Sequence, residues 1–179
     1  MGFELARVFA EKGAEVSLIT GPTQQIIEHS NVTRYDVKNA AQMYDKTVEC
    51  FGNCDIAILS AAVADYTPKS TFNTKLKKKT DNLVVELVPT KDILAELGKR
   101  KKENQILVGF ALETDNELEN AKEKLLRKKL DCIVLNSLND AGAGFNVPTN
   151  KVTCLGAEAK IYNSDIKSKY EVALDISEK

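Results

Sequence analysis

"DIAILSAAVADYTP" occupies residues 55–68, and its first half decides the fold. Ile56, Ala57, Ile58 and Leu59 form a continuous apolar run rather than an alternating one. A strand of that kind is buried on both faces, as the inner strands of a helix-covered parallel sheet are. Small residues follow at once. Side chains the size of Ala61 and Ala62 let backbone N–H groups come close to a ligand, and Asp65 faces the same mouth. Tight packing and a capped turn would account for the same residues, and the composition alone leaves both readings open.

The pattern extends outward in both directions. Upstream, Phe3, Leu5, Ala6 and Phe9 mark an amphipathic helix with Gly13 as its stop. "EVSLIT" at 15–20 and "VTRYDV" at 32–37 read as strands, the first halted by Gly21-Pro22. Ala40, Met43, Tyr44, Thr47, Val48 and Phe51 repeat at helical spacing, with Gly52 beyond them. Downstream, "NLVVELV" at 82–88 reads as a strand pairing with "TKLKKK" at 74–79, and Thr90 as the cap of a helix with Asp92 in its first turn. "QILVGFAL", a helix at 116–129, "DCIVLN", the antiparallel pair "KVTCLG" and "AKIYN", and a helix opened by Ser168 and Glu171 complete the chain. Alternating strands and helices predict an α/β fold with right-handed crossovers. Ligands of such sheets bind outside the carboxyl ends of the strands. The loops at 21–23, 61–65, 111–114 and 136–145 are therefore the ones to inspect.

With 179 residues and no interdomain linker, a single domain is expected. The net charge of −1 supplies no global field for nucleic acid or anionic lipid, so neither is an expected partner. No apolar run reaches the ~20 residues of a membrane span. Cys50, Cys54, Cys132 and Cys154 are scattered, which favours free thiols over a disulfide framework. His29, the one histidine, lies in a polar loop and argues against histidine-dependent hydrolysis.

Several basic and aromatic residues invite a functional reading beside a plain one. Lys77, Lys78 and Lys79 suit a solvated strand edge. Lys75 alternates with Leu76 in the expected hairpin, where a flap could carry an ammonium onto phosphate. Phe110, read as closing a strand, is either core or a platform for a nucleobase. Lys124 and Lys128 share a helical face, solvated or ligand-directed. "GAGF" at 142–145 lacks the full dinucleotide register, and no P-loop sequence occurs.

In this order, "AAVADYTP", "TKLKKK", "PTKDIL", "GFALET" and "NSLNDAGAGF" resemble phosphopantothenoylcysteine synthetase, or phosphopantothenate–cysteine ligase. In many bacteria this is the C-terminal half of a bifunctional coenzyme A biosynthesis flavoprotein, and the resemblance covers nearly the whole chain. It implies a Rossmann-like three-layer sandwich, with a mostly parallel central sheet and an antiparallel hairpin or flap. It also implies a cytoplasmic homodimer and a flavin-dependent decarboxylase fused upstream. The implied chemistry joins 4′-phosphopantothenate to L-cysteine through an acyl-cytidylate, using CTP and Mg²⁺. Carried over by motif, Ala61 and Lys75 would be catalytic, and Asp65 would serve both nucleotide and cation. Thr90, Lys91, Asp92, Ile93, Phe110, Lys124 and Lys128 would line the nucleotide pocket, with Ala62 and Asn136 contacting substrate.

The sequence departs from the family at its start. The family's first strand, its glycine-rich turn and a loop asparagine are missing, and Met1-Gly2 falls where that segment would end. An N-terminally truncated ligase domain over 1–179 is the expectation. A nicotinamide-dependent oxidoreductase on the same sheet, or a non-catalytic interaction module if the gene starts at Met1, are the alternatives. Binding of CTP, ATP and NADPH separates the first two.

Overall fold

The computed structural model describes residues 1–72, 74–77, 82–113, 115–137, 147–156 and 160–179. The first half runs α1 (Gly2–Glu11), β1 (Val16–Thr20), β2 (Val32–Asp36), α2 (Ala40–Phe51), β3 (Ile56–Leu59), β4 (Tyr66–Pro68) and β5 (Leu87–Pro89). The second half runs α3 (Ile93–Arg100), β6 (Ile106–Glu113), α4 (Glu117–Arg127) and β7 (Cys132–Ser137). It closes with β8 (Thr149–Asn150), β9 (Val152–Gly156), β10 (Ile161–Asn163), β11 (Lys167–Ser168) and α5 (Lys169–Ser177).

The central sheet has the order β10-β9-β7-β6-β3. β3, β6 and β7 run parallel, and β9 and β10 add antiparallel strands at the far edge. β1 and β2 form a separate parallel pair. The apolar runs of β6 and β7 send successive side chains to opposite faces, both covered, whereas β3, expected to be buried on both faces, has Ile56 exposed and Ala57, Ile58 and Leu59 half-buried. Leu107, Ala111, Ile133 and Leu135 join Leu94, Leu97, Ala121 and Leu125 of α3 and α4 in one core, with α2 packed alongside. Val108 and Val134 meet Leu5 and Val8 of α1 and Val172 and Ile176 of α5 in the other. Two helical layers thus enclose one sheet, and the expected three-layer α/β sandwich is present.

Buried polar groups pin the layers together. Gln105, 4% exposed, donates its amide to the carbonyls of Phe51 and Cys54 at 2.8 and 2.7 Å, tying the end of α2 to the entry of β6. Asp131 accepts the Leu107 N–H at 2.7 Å and pairs with Lys101 beyond α3. Ser168 and Glu171 form the expected capping box at the start of α5.

Three sequence expectations need correction. The hairpin pairs Tyr66–Pro68 with Leu87–Pro89, not "TKLKKK" with "NLVVELV". Residues 74–77 and 82–86 carry no strand, and Lys78 and Lys79 lie outside the described residues. An exposed apolar run has no buried face to fix its register, so its strand propensity does not decide its partner. The cap of α3 is Asp92, whose carboxylate accepts the Ala95 N–H at 3.0 Å; Thr90 lies two residues too early. Phe110 lies within β6, which continues to Glu113. The loop at 138–145, including "GAGF", also lies outside the described residues, as does Thr114.

Gly98 of α3 sits against the backbone where α4 ends. A Cβ there would fall inside the carbonyl of Lys128. Replacement by alanine must push α3 and α4 apart, and overpacking of this kind costs about 1–3 kcal/mol. Gly98→Ala is expected to lower the urea midpoint at unchanged slope, whereas Gly52→Ala, where a Cβ meets nothing within 4 Å, leaves it almost unmoved.

Candidate functional site

A cavity of about 330 Å³ opens at the carboxyl ends of β1, β2 and β3. Ala61 and Ala62 line it, together with Val63 and Ala64, so the small residues after β3 do form a floor. Thr90 reaches the same cavity and holds that floor in place. Its hydroxyl donates to the Ala64 carbonyl at 2.7 Å, and its N–H donates to the Asp65 carbonyl at 2.8 Å. The residue expected as a helix cap therefore fastens the β3 loop to the approach of α3.

A charged pair outside the lining of that cavity joins α3 to α4. Lys128 terminates α4 and is largely buried; its ammonium contacts both carboxylate oxygens of Asp92, at 2.7 and 3.0 Å. Burial opposes ionisation of Asp92. The hydrogen bonds from Lys128 and the Ala95 N–H, with the nearby charges of Lys128 and Lys124, outweigh it and hold the carboxyl below its ordinary range. Lys91 turns towards α2, with its ammonium 4.3 Å from the centre of the Tyr44 ring. The Ile93 side chain is buried in the core, which leaves its backbone as the part able to meet a ligand.

Asp65 is exposed at the floor's outer end. Among the described residues no group of three or more His, Cys, Asp or Glu is disposed to hold a metal ion. A lone carboxylate still fits a magnesium ion, which commonly takes one or two carboxylates and fills its remaining positions with phosphate oxygens and water. Asn136, near the carboxyl end of β7, is oriented by Asn150, whose amide donates to the Asn136 Oδ1 at 3.0 Å. Asn150 is 2% exposed, and its own Oδ1 is unpaired among the described residues.

Of the predicted residues Ala61, Ala62 and Thr90 line the cavity, and Asp65, Lys75, Lys91, Asp92, Ile93, Phe110, Lys124, Lys128 and Asn136 do not. Phe110 packs with Val108 and Val134 on the α1–α5 side of the sheet, opposite the α3–α4 layer that carries Asp92 and Lys128. Lys75 is exposed, does not line the cavity, and makes no hydrogen bond or ion pair with a described residue. All four cysteines are free. The Cys154 thiol is driven far upward by its hydrogen bond with Cys132 and by burial, and burial raises Cys54 as well.

Lys38, Asn39 and Met43 line the cavity and escaped the sequence reading. The signal was available, because they follow β2 and open α2, with Asn39 capping Gln42 at 2.9 Å. Applying the carboxyl-end rule to "VTRYDV" as well as to the other strands would have included them.

A helix-covered, partly parallel sheet with a cavity floored by alanines at the carboxyl ends of its strands defines an α/β domain of the Rossmann-like class. Over residues 1–179 the chain matches the family model described as the DNA/pantothenate metabolism flavoprotein C-terminal domain, and it belongs to that family. It is 51% identical over 179 residues to a protein named cysteine/cysteine sulfinic acid decarboxylase from an unknown prokaryotic organism, covering 100% of this chain and 50% of that one. It is 42% identical over 176 residues to the coenzyme A biosynthesis bifunctional protein CoaBC of Bacillus subtilis strain 168, covering 98% and 43%. The chain thus spans about half the length of these curated relatives. The crystal structure of a CoaBC C-terminal domain superposes with a TM-score of 0.81 at 34% identity, covering 98% of this chain and 78% of that one. The family resemblance read from the five motifs and the expected fold class are both borne out. Among the described residues no helix is long and apolar enough to cross a membrane.

The Asp92 carboxylate is stabilised when ionised in the fold, so its contribution is present at neutral pH and fades as pH falls through its lowered value. Half-exposure of its side chain keeps the pairing with Lys128 within about 1 kcal/mol. Asp92→Asn keeps a competent cap and is expected to lose only that pairing and its acid sensitivity. Asp92→Ala is expected to lose about 1 kcal/mol more. Denaturant titrations at pH 7 and pH 3 read both effects.

Proposed function

We propose that the chain is the phosphopantothenate–cysteine ligase domain of a longer polypeptide, acting through an acyl-cytidylate formed from CTP. The observation that carries this reading is that direct contacts join three separated motifs. "AAVAD" is fastened by Thr90 of "PTKDIL", and Asp92 of "PTKDIL" is paired with Lys128 of α4. The family membership and the likeness to CoaBC proteins support it further.

The chemistry suits these groups. The carboxylate of 4′-phosphopantothenate attacks the α-phosphorus of CTP, and the bond to pyrophosphate breaks. The amine of cysteine then attacks the acyl carbon, an amide forms, CMP departs and the amine proton passes to solvent. No protein nucleophile is required, which agrees with a cavity floored by alanines. Backbone groups of Ala61 and Ala62 would accompany the acyl-phosphate, and Lys75, Lys124 and Lys128 would offset charge building on phosphate oxygens. Thr90, Lys91, Asp92 and the Ile93 backbone would hold the nucleotide, and Asn136, kept in orientation by Asn150, would donate to substrate. Phe110 would reach the nucleobase only past the end of β6. Magnesium, held by Asp65 and the phosphates, would supply electrophilic activation.

Lys75 lies between β4 and β5, which pair with each other, so a closing flap that shields the acyl-nucleotide from water is the role assigned to it. The exposed apolar residues Leu83, Val84, Val85 and Leu87 favour a homodimer that covers them. A cytoplasmic location and a fused upstream flavin-dependent decarboxylase complete the proposal, the latter in keeping with the greater length of the relatives.

The test is CTP- and magnesium-dependent release of pyrophosphate from phosphopantothenate by the longer polypeptide, with ATP and NADPH binding measured alongside. Absence of pyrophosphate with every nucleotide sinks the reading. Lys75→Ala is expected to lower kcat about 100-fold, in the range set by losing one charge-stabilising donor, with the urea midpoint unchanged. Full activity of that variant would remove the flap from the mechanism.

A further inference from the structure

Cys132 and Cys154 belong to neighbouring antiparallel strands. Cys132 of β7 stands opposite Gly156 of β9, and Cys154 of β9 stands opposite Val134. The two cysteines are therefore diagonal neighbours. Both join the core on the α1–α5 side, so their side chains leave the same face of the sheet. Diagonal pairs in antiparallel sheets lie about 7–8 Å apart at the backbone, within reach of side chains that lean together. A Cβ at Gly156 would meet the carbonyls of Lys160 and Asp131 and not the Cys132 side chain, which thus turns away from its opposite residue. It turns towards Cys154, whose thiol donates a hydrogen bond to the Cys132 sulfur.

The two sulfurs are not equivalent. Cys154 is 4% exposed, whereas Cys132 is half-buried. The hydrogen bond from Cys154 holds the Cys132 thiol below its ordinary range, against burial and the charge of Asp131. Cys154, as the donor and the more buried group, keeps its proton. A thiolate is the form of cysteine that attacks, so Cys132 is the reachable nucleophile and Cys154 the protonated thiol in contact with it. Cys54 is arranged differently: its thiol donates to the Phe51 carbonyl at 3.5 Å, and burial pushes it up.

We infer that Cys132 and Cys154 are an oxidation site, a thiol pair that closes reversibly to a disulfide when the chain meets a hydroperoxide. The Cys132 thiolate attacks the terminal oxygen of the peroxide and the O–O bond breaks. The departing oxygen takes up a proton and leaves as water or an alcohol, and Cys132 becomes a sulfenic acid. The Cys154 sulfur then attacks the Cys132 sulfur, and the displaced hydroxide leaves as water with the Cys154 proton. The two thiols together lose two electrons, and the peroxide gains them. An unstrained disulfide joins Cα atoms about 4.4–6.8 Å apart, less than the usual diagonal, so closure draws β7 and β9 together there. Strained disulfides are the readily reduced ones, which makes this closure reversible by thiols. The inference stands on the register of β7 with β9 and is independent of the reaction proposed above.

Peptide mapping by mass spectrometry tests it on the full chain, kept folded and dilute and treated with hydrogen peroxide. Trypsin places the two cysteines in different peptides, 130–151 and 152–160. The expected product joins these two, lighter than their sum by two hydrogens, and dithiothreitol restores both. Cys154→Ser is expected to stop Cys132 at the sulfenic acid, trapped by dimedone. Cys132→Ser is expected to leave Cys154 unoxidised, and either variant to lose the joined peptide altogether. Advance of Cys132 to a sulfinic acid in the unaltered chain, with no joined peptide, would overturn the inference. So would a joined peptide that holds Cys50 or Cys54 instead, or one whose yield rises with protein concentration.

Discussion

Burial of β6 and β7 on both faces is the constraint on which the rest of the molecule depends. A strand with Leu107 and Val108 both inside must have a helical layer above and below it, and each layer must be supplied by a crossover. That demand sends α3 and α4 to one face and α1 and α5 to the other. It also gathers the connections that leave the carboxyl ends along one edge. The cavity floor at Ala61 and Ala62 exists because that edge collects the loop after β3 and the approach to α3. Gly98 is where the demand is tightest, since α3 and α4 approach there without room for a methyl group.

The site is assembled from contacts that each serve the fold as well. Thr90 spends its hydroxyl and its N–H on the loop after β3, fixing the floor relative to α3. Asp92 caps that helix and holds Lys128, so one carboxylate both starts α3 and settles how α4 ends against it. The cavity floor offers small residues and backbone groups.

Much of this was legible in the residues. The apolar runs at 56–59, 106–112 and 132–135 pointed to two-sided burial, which holds at 107–108 and 133–135, and the α/β class followed from them. The caps at Gly52 and Ser168 and the floor at Ala61 followed from single-residue chemistry. The hairpin did not, because "NLVVELV" is solvent-exposed where described and no core face chose its register; the strand that β4 takes is Leu87–Pro89. Lys38 and Asn39 were overlooked because a lysine and an asparagine after a strand look like any turn until β2 is placed beside β3.

The sequence by itself determined which segments must be buried, where helices begin, and which motifs mark the family, because these rest on side-chain chemistry over a few residues. Tertiary structure alone decided that Thr90 ties rather than caps and that Phe110 faces away from Lys128. Those outcomes depend on which surfaces meet across long stretches of chain, and a side chain carries no record of its distant neighbour until packing supplies one.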